Sequence, residues 1–147
     1  NYVSFFSNNK YKLTFDEEYM IETLYHEILH LAAKKWKPLK KGSSQCLAME
    51  TMNQFVSRHN YGELIEAVGG EVIHQQIIII NGKGYDKQLK KLNSISSTKS
   101  EKIKREFKET LLNTDYDKLK FWLNKFLENN GKSLEWLLNK DTNKRNQ

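Results

Sequence analysis

His26-Glu27-Ile28-Leu29-His30 is the stretch on which the reading of this chain turns. Two histidines four residues apart lie on one side of an α-helix, about one turn from each other. Both imidazoles can then hold one metal ion at the roughly 2.0–2.1 Å of a Zn–N bond. Glu27, one residue beyond the first histidine, would stand beside a water activated by that ion and could take its proton. The flanking sequence reads as a helix. Thr14 and Glu17 form a T-x-x-E capping box, with Asp16, Glu17 and Glu18 at the positive end of the helix dipole. Lys34, Lys35 and Lys37 sit at the other end, and Pro38 stops it. Ile21, Leu24, Ile28 and Ala32 make an apolar stripe at helical spacing, the ordinary mark of a core-facing side. At about 100° per residue, His26 and His30 project from the opposite side, flanked by the small Thr23 and Ala33.

A second helix is expected from about Gln45 to His59, capped by Ser43 or Ser44. Ala48, Met52, Phe55 and Val56 form its apolar side. Glu50 falls on the opposite side, with Gln54 one turn on. An αα-hairpin through the Trp36–Ser44 connection would aim Glu50 back at the histidines. The result is a His26, His30, Glu50 metal set, three protein ligands with an open fourth position. His59 is the rival third ligand. The plain alternative is two solvent-facing histidines and a surface glutamate.

H-E-x-x-H followed by a glutamate on the next helix resembles the gluzincin metallopeptidases, the thermolysin-like enzymes. The resemblance covers roughly residues 12–60 and includes the step from His30 to Glu50. It implies a zincin-like helix pair, with His26, His30 and Glu50 as Zn2+ ligands and Glu27 as general base. The metzincin pattern does not fit, because Ala33 and Trp36 stand where it needs Gly and His. Two departures from the gluzincin pattern stand out. Gln54 occupies the place where those enzymes often put an aspartate that orients a ligand histidine. The family's oxyanion-stabilising histidine or tyrosine has only His59, Tyr61, His74 and Tyr85 as candidates, and no spacing singles one out.

A second resemblance concerns context. Met49-Glu50-Thr51-Met52-Asn53-Gln54-Phe55-Val56-Ser57-Arg58-His59, with Asn81-Gly82-Lys83-Gly84-Tyr85 further on, resembles the C-terminal region of phage head-morphogenesis (minor head) proteins. It implies an accessory domain of a virion protein, with phage structural proteins as partners.

At 147 residues the chain suits one domain or one compact unit with an appendage. Its single cysteine, Cys46, excludes an intramolecular disulfide and reads as a small buried residue in a reducing compartment. No run of eighteen apolar residues and no signal peptide is present, so a soluble protein without a membrane partner is expected, cytoplasmic or virion-associated. The start at Asn1 is what a fragment of a longer chain would show. The net charge of +6 is uneven: residues 1–86 carry nine basic and ten acidic side chains, residues 87–147 fifteen and eight. The basic half mixes its lysines with Glu and Asp at helical intervals, which points to a solvated face rather than to nucleic acid. No Gly-rich phosphate loop or zinc-knuckle pattern occurs.

The fold class expected is α+β, mostly α. Residues 2–6 and 10–15 are aromatic and β-branched enough for a hairpin about Ser7-Asn8-Asn9, which the zincin resemblance would lay along a substrate cleft. Tyr61 to Val68 reads as a short helix ending at Gly69-Gly70. From Glu71 to Ile80 the run Ile77-Ile78-Ile79-Ile80 favours a buried strand, with a helix as the alternative and Asn81-Gly82-Lys83-Gly84 as the turn after it. Helices follow near Asp86–Leu92, then with Ile103, Phe107, Leu111 and Leu112 behind a cap at Ser97 or Thr98. Two more hold Leu119, Trp122, Phe126 and Leu127 behind Asp115, and Leu134, Trp136, Leu137 and Leu138 behind Ser133. Ser94–Ser100 is the candidate linker, and the tail from Asp141 is polar. The expected division is a zincin-like metal-binding core over 1–86 and a basic helical subdomain over 87–147 packed on it. The function expected is zinc-dependent hydrolysis, of a peptide or protein substrate, by metal-activated water with Glu27 as base. The alternative is a non-catalytic structural or interaction domain with a vestigial or structural metal site.

Overall fold

The computed structural model describes residues 10–33 and 39–139. Among them the chain is mostly helical, with one two-stranded sheet. In order they form β1 (Tyr11–Lys12), α1 (Phe15–Ala32), α2 (Ser44–Asn60), α3 (Gly62–Ala67), β2 (Gly70–Glu71), α4 (Gln75–Asn81) and α5 (Asp86–Ser94). A 3-10 turn (Ser96–Lys99) then leads to α6 (Glu101–Asn113), α7 (Tyr116–Asn129) and α8 (Leu134–Leu138). No helix among the described residues is long and apolar enough to cross a membrane.

The local signals act as chemistry requires. Thr14 caps α1: its side chain accepts from Glu17 N, and the Glu17 carboxylate accepts from Thr14 N at 2.8 Å. Ser43 caps α2 by accepting from Cys46 N, and Ser133 caps α8 by accepting from Trp136 N. Helix α2 is the spine. It packs against α1, α6, α7 and α4, and its residues from Ala48 to Arg58, Glu50 apart, are all buried. One continuous hydrophobic cluster runs from Tyr25 and Leu29 through Met52, Phe55 and Val56 to Phe107, Leu111, Leu119, Leu123 and Leu137. Phe107 sits at its centre, edge-on to Trp122 and Phe126 at 5.0 and 4.9 Å between centroids.

Several sequence expectations change. The stripe of Ile21, Leu24, Ile28 and Ala32 does not face the core. Leu24 is 50 % and Ile28 39 % exposed, Met20 and Leu31 beside them are more so, and only Ile21 packs inward. The buried face of α1 is instead Glu18, Glu22, Tyr25 and Leu29. Polar groups can go inward here because they are met by donors. Glu18, fully buried, accepts from the Tyr61 hydroxyl at 2.7 Å, from Ile73 N at 2.8 Å and from His74 N at 3.1 Å. A carboxylate with that many partners avoids most of the cost of leaving water.

Of the expected strand over 10–15, only Tyr11 and Lys12 are extended and paired. They pair in parallel with Gly70 and Glu71. The other expected hairpin arm, residues 2–6, lies outside the described residues, as do Lys34, Lys35, Trp36, Lys37, Pro38 and the tail from Asp141. Gly70 is needed at this crossing: a Cβ there would lie 2.7 Å from the Ile65 side chain and 3.0 Å from the Tyr11 ring. The run around Ile77–Ile80 is helix α4, not a strand. Of its four isoleucines Ile78 alone is buried, while Ile77 and Ile80 face outward. Ser97 and Thr98 do not cap α6. They lie in the 3-10 turn, Ser100 takes the cap position, and Thr98 is buried with its hydroxyl donating to Leu92 and Ile95 carbonyls. Cys46 is half-buried rather than sunk in the core.

Candidate metal centre

Helices α1 and α2 run against each other so that one turn of each carries the candidate ligands. His26 and His30 stand one turn apart on α1, with ring centroids 5.0 Å apart. Glu50, on the second turn of α2, reaches across between them. Its Oε1 lies 3.1 Å from His30 Nε2 and 3.9 Å from His26 Nε2. His26, His30 and Glu50 each offer a ligand atom within 4.8 Å of the others, so the cluster could hold a metal ion. The donor set of two imidazoles and one carboxylate suits a divalent transition metal.

The protonation pattern inside the cluster fits a cation. His30 Nδ1 is hydrogen-bonded to the Tyr116 hydroxyl at 2.9 Å. When Nδ1–H donates in that bond, Nε2 presents its lone pair to the gap. Among the described residues, His26 Nδ1 is buried with no hydrogen-bond partner, and Glu50 Oε1 is buried with only the His30 and His26 imidazoles near it. A buried carboxylate oxygen facing two imidazole nitrogens is a concentration of acceptors, which a metal ion would satisfy. Burial pushes the His26 pKa down against the pull of Glu50, favouring the neutral, ligating form. Burial raises Glu50, but the imidazoles of His30 and His26 and the Tyr85 hydroxyl outweigh it, so its pKa is lowered and it stays ionised.

Two tyrosines frame the cluster. Tyr116, at the start of α7, is 1 % exposed, and burial and Glu50 push its pKa up to about 12, so it remains a neutral hydroxyl. Tyr85 reaches Glu50 Oε2 with its hydroxyl at 3.5 Å. Its backbone is left-handed, φ 57°, directly after Gly84 at φ 110°. A bulky residue adopts that conformation at a cost of about 1–3 kcal/mol, and here it turns the ring towards Glu50.

Glu27 is exposed beside His26, and both line a cavity of about 240 Å³ that reaches Lys83. Gln54 does not orient a ligand histidine. Its Nε2 donates to Glu22 Oε2 at 2.9 Å, and the Ser57 hydroxyl bonds the same carboxylate. Burial raises the Glu22 pKa, opposed by Ser57, Arg58 and Gln54. The other two histidines stand outside the cluster. His59 Nε2 bonds Asn93 Oδ1 at 3.0 Å, and His74 Nε2 bonds the Leu13 carbonyl at 3.2 Å. His74 N and Tyr61 both donate to Glu18, which leaves Tyr85, of the four oxyanion candidates, beside Glu50.

Sequence reasoning missed Tyr116 and Glu22. Tyr116 lies 86 residues from His30, and no local pattern announces the contact. Glu22 did carry a signal, since Glu18, Glu22, His26 and His30 succeed one another at four-residue steps along one helix face. Compared with protein-family models, with curated proteins and with solved structures, the chain matches none.

Proposed function

We propose that this chain is a zinc-dependent hydrolase acting on peptides, built on a gluzincin-like helix pair. The observation that carries the reading is the convergence of His26, His30 and Glu50 within 4.8 Å, with Glu27 next to His26 at the edge of an open cavity. Zn2+ would be held by His26, His30 and Glu50, and when bound it would supply Lewis acidity towards water and a carbonyl oxygen. Glu27 is the base: its exposed carboxylate accepts the proton of the attacking water and returns it to the leaving amine. Tyr116, by accepting from His30 Nδ1–H, would hold His30 in the tautomer that leaves Nε2 free to ligate. Tyr85 steadies Glu50 from the other side. The test is zinc content together with hydrolysis. Protein purified without added metal should carry about one zinc per chain, and Glu27→Gln should keep the zinc while losing roughly 10²–10⁴-fold in turnover. Glu27→Gln with undiminished hydrolysis in the zinc-replete protein ends the proposal.

One observation favours a second reading, a structural or interaction domain with a vestigial metal site, as an accessory part of a phage minor head protein would be. Gln54 is committed to Glu22, and among the described residues His26 Nδ1 is left without the partner that usually orients a ligand imidazole. Stoichiometric zinc with no cleavage across a peptide library supports this second reading.

A further inference from the structure

The cavity beside Glu27 is walled by groups that an ordinary apolar side-chain pocket would not contain. It has a volume of about 240 Å³, several times the ~30 Å³ of one water. At its wall stands Glu22, 1 % exposed. The hydrogen bonds to its carboxylate from Gln54 and Ser57 both go to Oε2, so Oε1 has no such partner among the described residues. The Tyr19 hydroxyl accepts from Lys83 N at 2.7 Å and keeps its own proton to donate. The Thr23 hydroxyl donates to the Tyr19 carbonyl at 3.1 Å and keeps lone pairs to accept. Acceptors and a donor therefore share the lining of one space, with Glu22 and Thr23 able to accept and the Tyr19 hydroxyl able to donate.

Each class of side chain meets a different fate there. An aliphatic or aromatic group would strip Glu22 and Tyr19 of water and return nothing. A cationic group would meet Lys83 as well as Glu27, while Arg58, itself 2 % exposed, already answers the charge of Glu22. An anionic group would meet Glu22 and Glu27. A carboxamide offers an N–H to Glu22 Oε1 or Thr23 Oγ1 and a carbonyl to the Tyr19 hydroxyl, with no net charge. We propose that this cavity is a substrate subsite for an asparagine or glutamine side chain next to the scissile bond. The proposal rests on the hydrolase reading for its chemistry, though its binding is measurable without turnover.

The experiment uses the full chain, with and without zinc, and two probes, N-acetylglutamine methylamide and N-acetylleucine methylamide. Amide signals of Thr23 and Gln54 are followed by NMR, with Asn93 as a distant control. The glutamine probe should shift them at concentrations about tenfold or more below those the leucine probe needs. Thr23→Leu, a change at an exposed helix position that fills the cavity, should abolish the glutamine shifts while the rest of the spectrum keeps the native fold. Equal or tighter binding of the leucine probe, no shift with either, or glutamine shifts that survive Thr23→Leu would each overturn the subsite. A matched peptide pair separates the two readings. Cleavage that prefers leucine leaves the hydrolase standing and removes the subsite. Selective glutamine binding with no cleavage of either peptide supports the subsite and counts against the hydrolase.

Discussion

Glu50 Oε1 stands 3.1 Å from His30 Nε2 across the seam between α1 and α2. When His30 Nδ1–H donates to Tyr116, Nε2 and Oε1 are both acceptors, and a cation between them would relieve the contact. Glu50→Gln removes the charge and keeps the shape. It should lower zinc affinity by more than about 100-fold, beyond the range typical of residues that only support ligands. Competition against a chromophoric chelator reads this directly. Unchanged affinity would remove Glu50 from the ligand set.

Tyr116 is coupled to the same site from the far end of the chain, through its 2.9 Å hydrogen bond with His30 Nδ1. Tyr116→Phe keeps the ring in its buried place and deletes the hydroxyl. Zinc affinity should fall about 10–100-fold, while stability of the metal-free protein should fall by only about 1 kcal/mol. A loss of stability with zinc affinity intact would make Tyr116 a packing residue alone.

Glu18 offers a test of the buried polar face. Glu18→Ala leaves the Tyr61 hydroxyl and the Ile73 and His74 amides without their acceptor. Denaturant unfolding should show a loss of about 3 kcal/mol or more. Glu17→Ala, one residue away in the capping box, should cost about 1 kcal/mol. Equal effects would mean that the Glu18 cluster contributes no more than a helix cap.

His59 sets a pH dependence. Burial holds its pKa down at about 4, well under the ~6.5 of an exposed imidazole. The sign follows from which state binds the proton first. Between pH 6.5 and 4 the unfolded chain takes up a proton that folded His59 refuses, so stability falls as pH falls through that window. The contribution reaches about 3 kcal/mol by pH 4 and levels off below it. It should be the difference between wild type and His59→Gln in metal-free unfolding curves, since His26, also lowered, acts in the same direction in both. Parallel curves would show that His59 is not held neutral in the fold.

The local code of this chain is strong where short-range chemistry suffices. Thr14 and Glu17 make the capping box that starts α1, and Ser43 starts α2. Four-residue spacing puts His26 and His30 on one side of a helix, and helical phase turns Glu50 towards them. None of these depends on anything far away. Periodicity failed on α1 and around Ile77–Ile80 for a common reason. A stripe of apolar residues says that a helix has two faces, but not which of them finds a partner. On α1 the polar ladder of Glu18, Glu22, His26 and His30 goes inward. Tyr61, Gln54, Ser57 and Tyr116, all distant in sequence, supply the hydrogen bonds that make this affordable, and Leu24 and Ile28 are left outside. Taken alone the four isoleucines favour a strand, and the packing of α4 on α2 decides for helix. The sequence by itself determined which helix holds the candidate metal-ligating pair and where that helix begins. The tertiary structure alone decided which face of it is buried, because burying a carboxylate or an imidazole depends on donors and acceptors that only folding brings within reach.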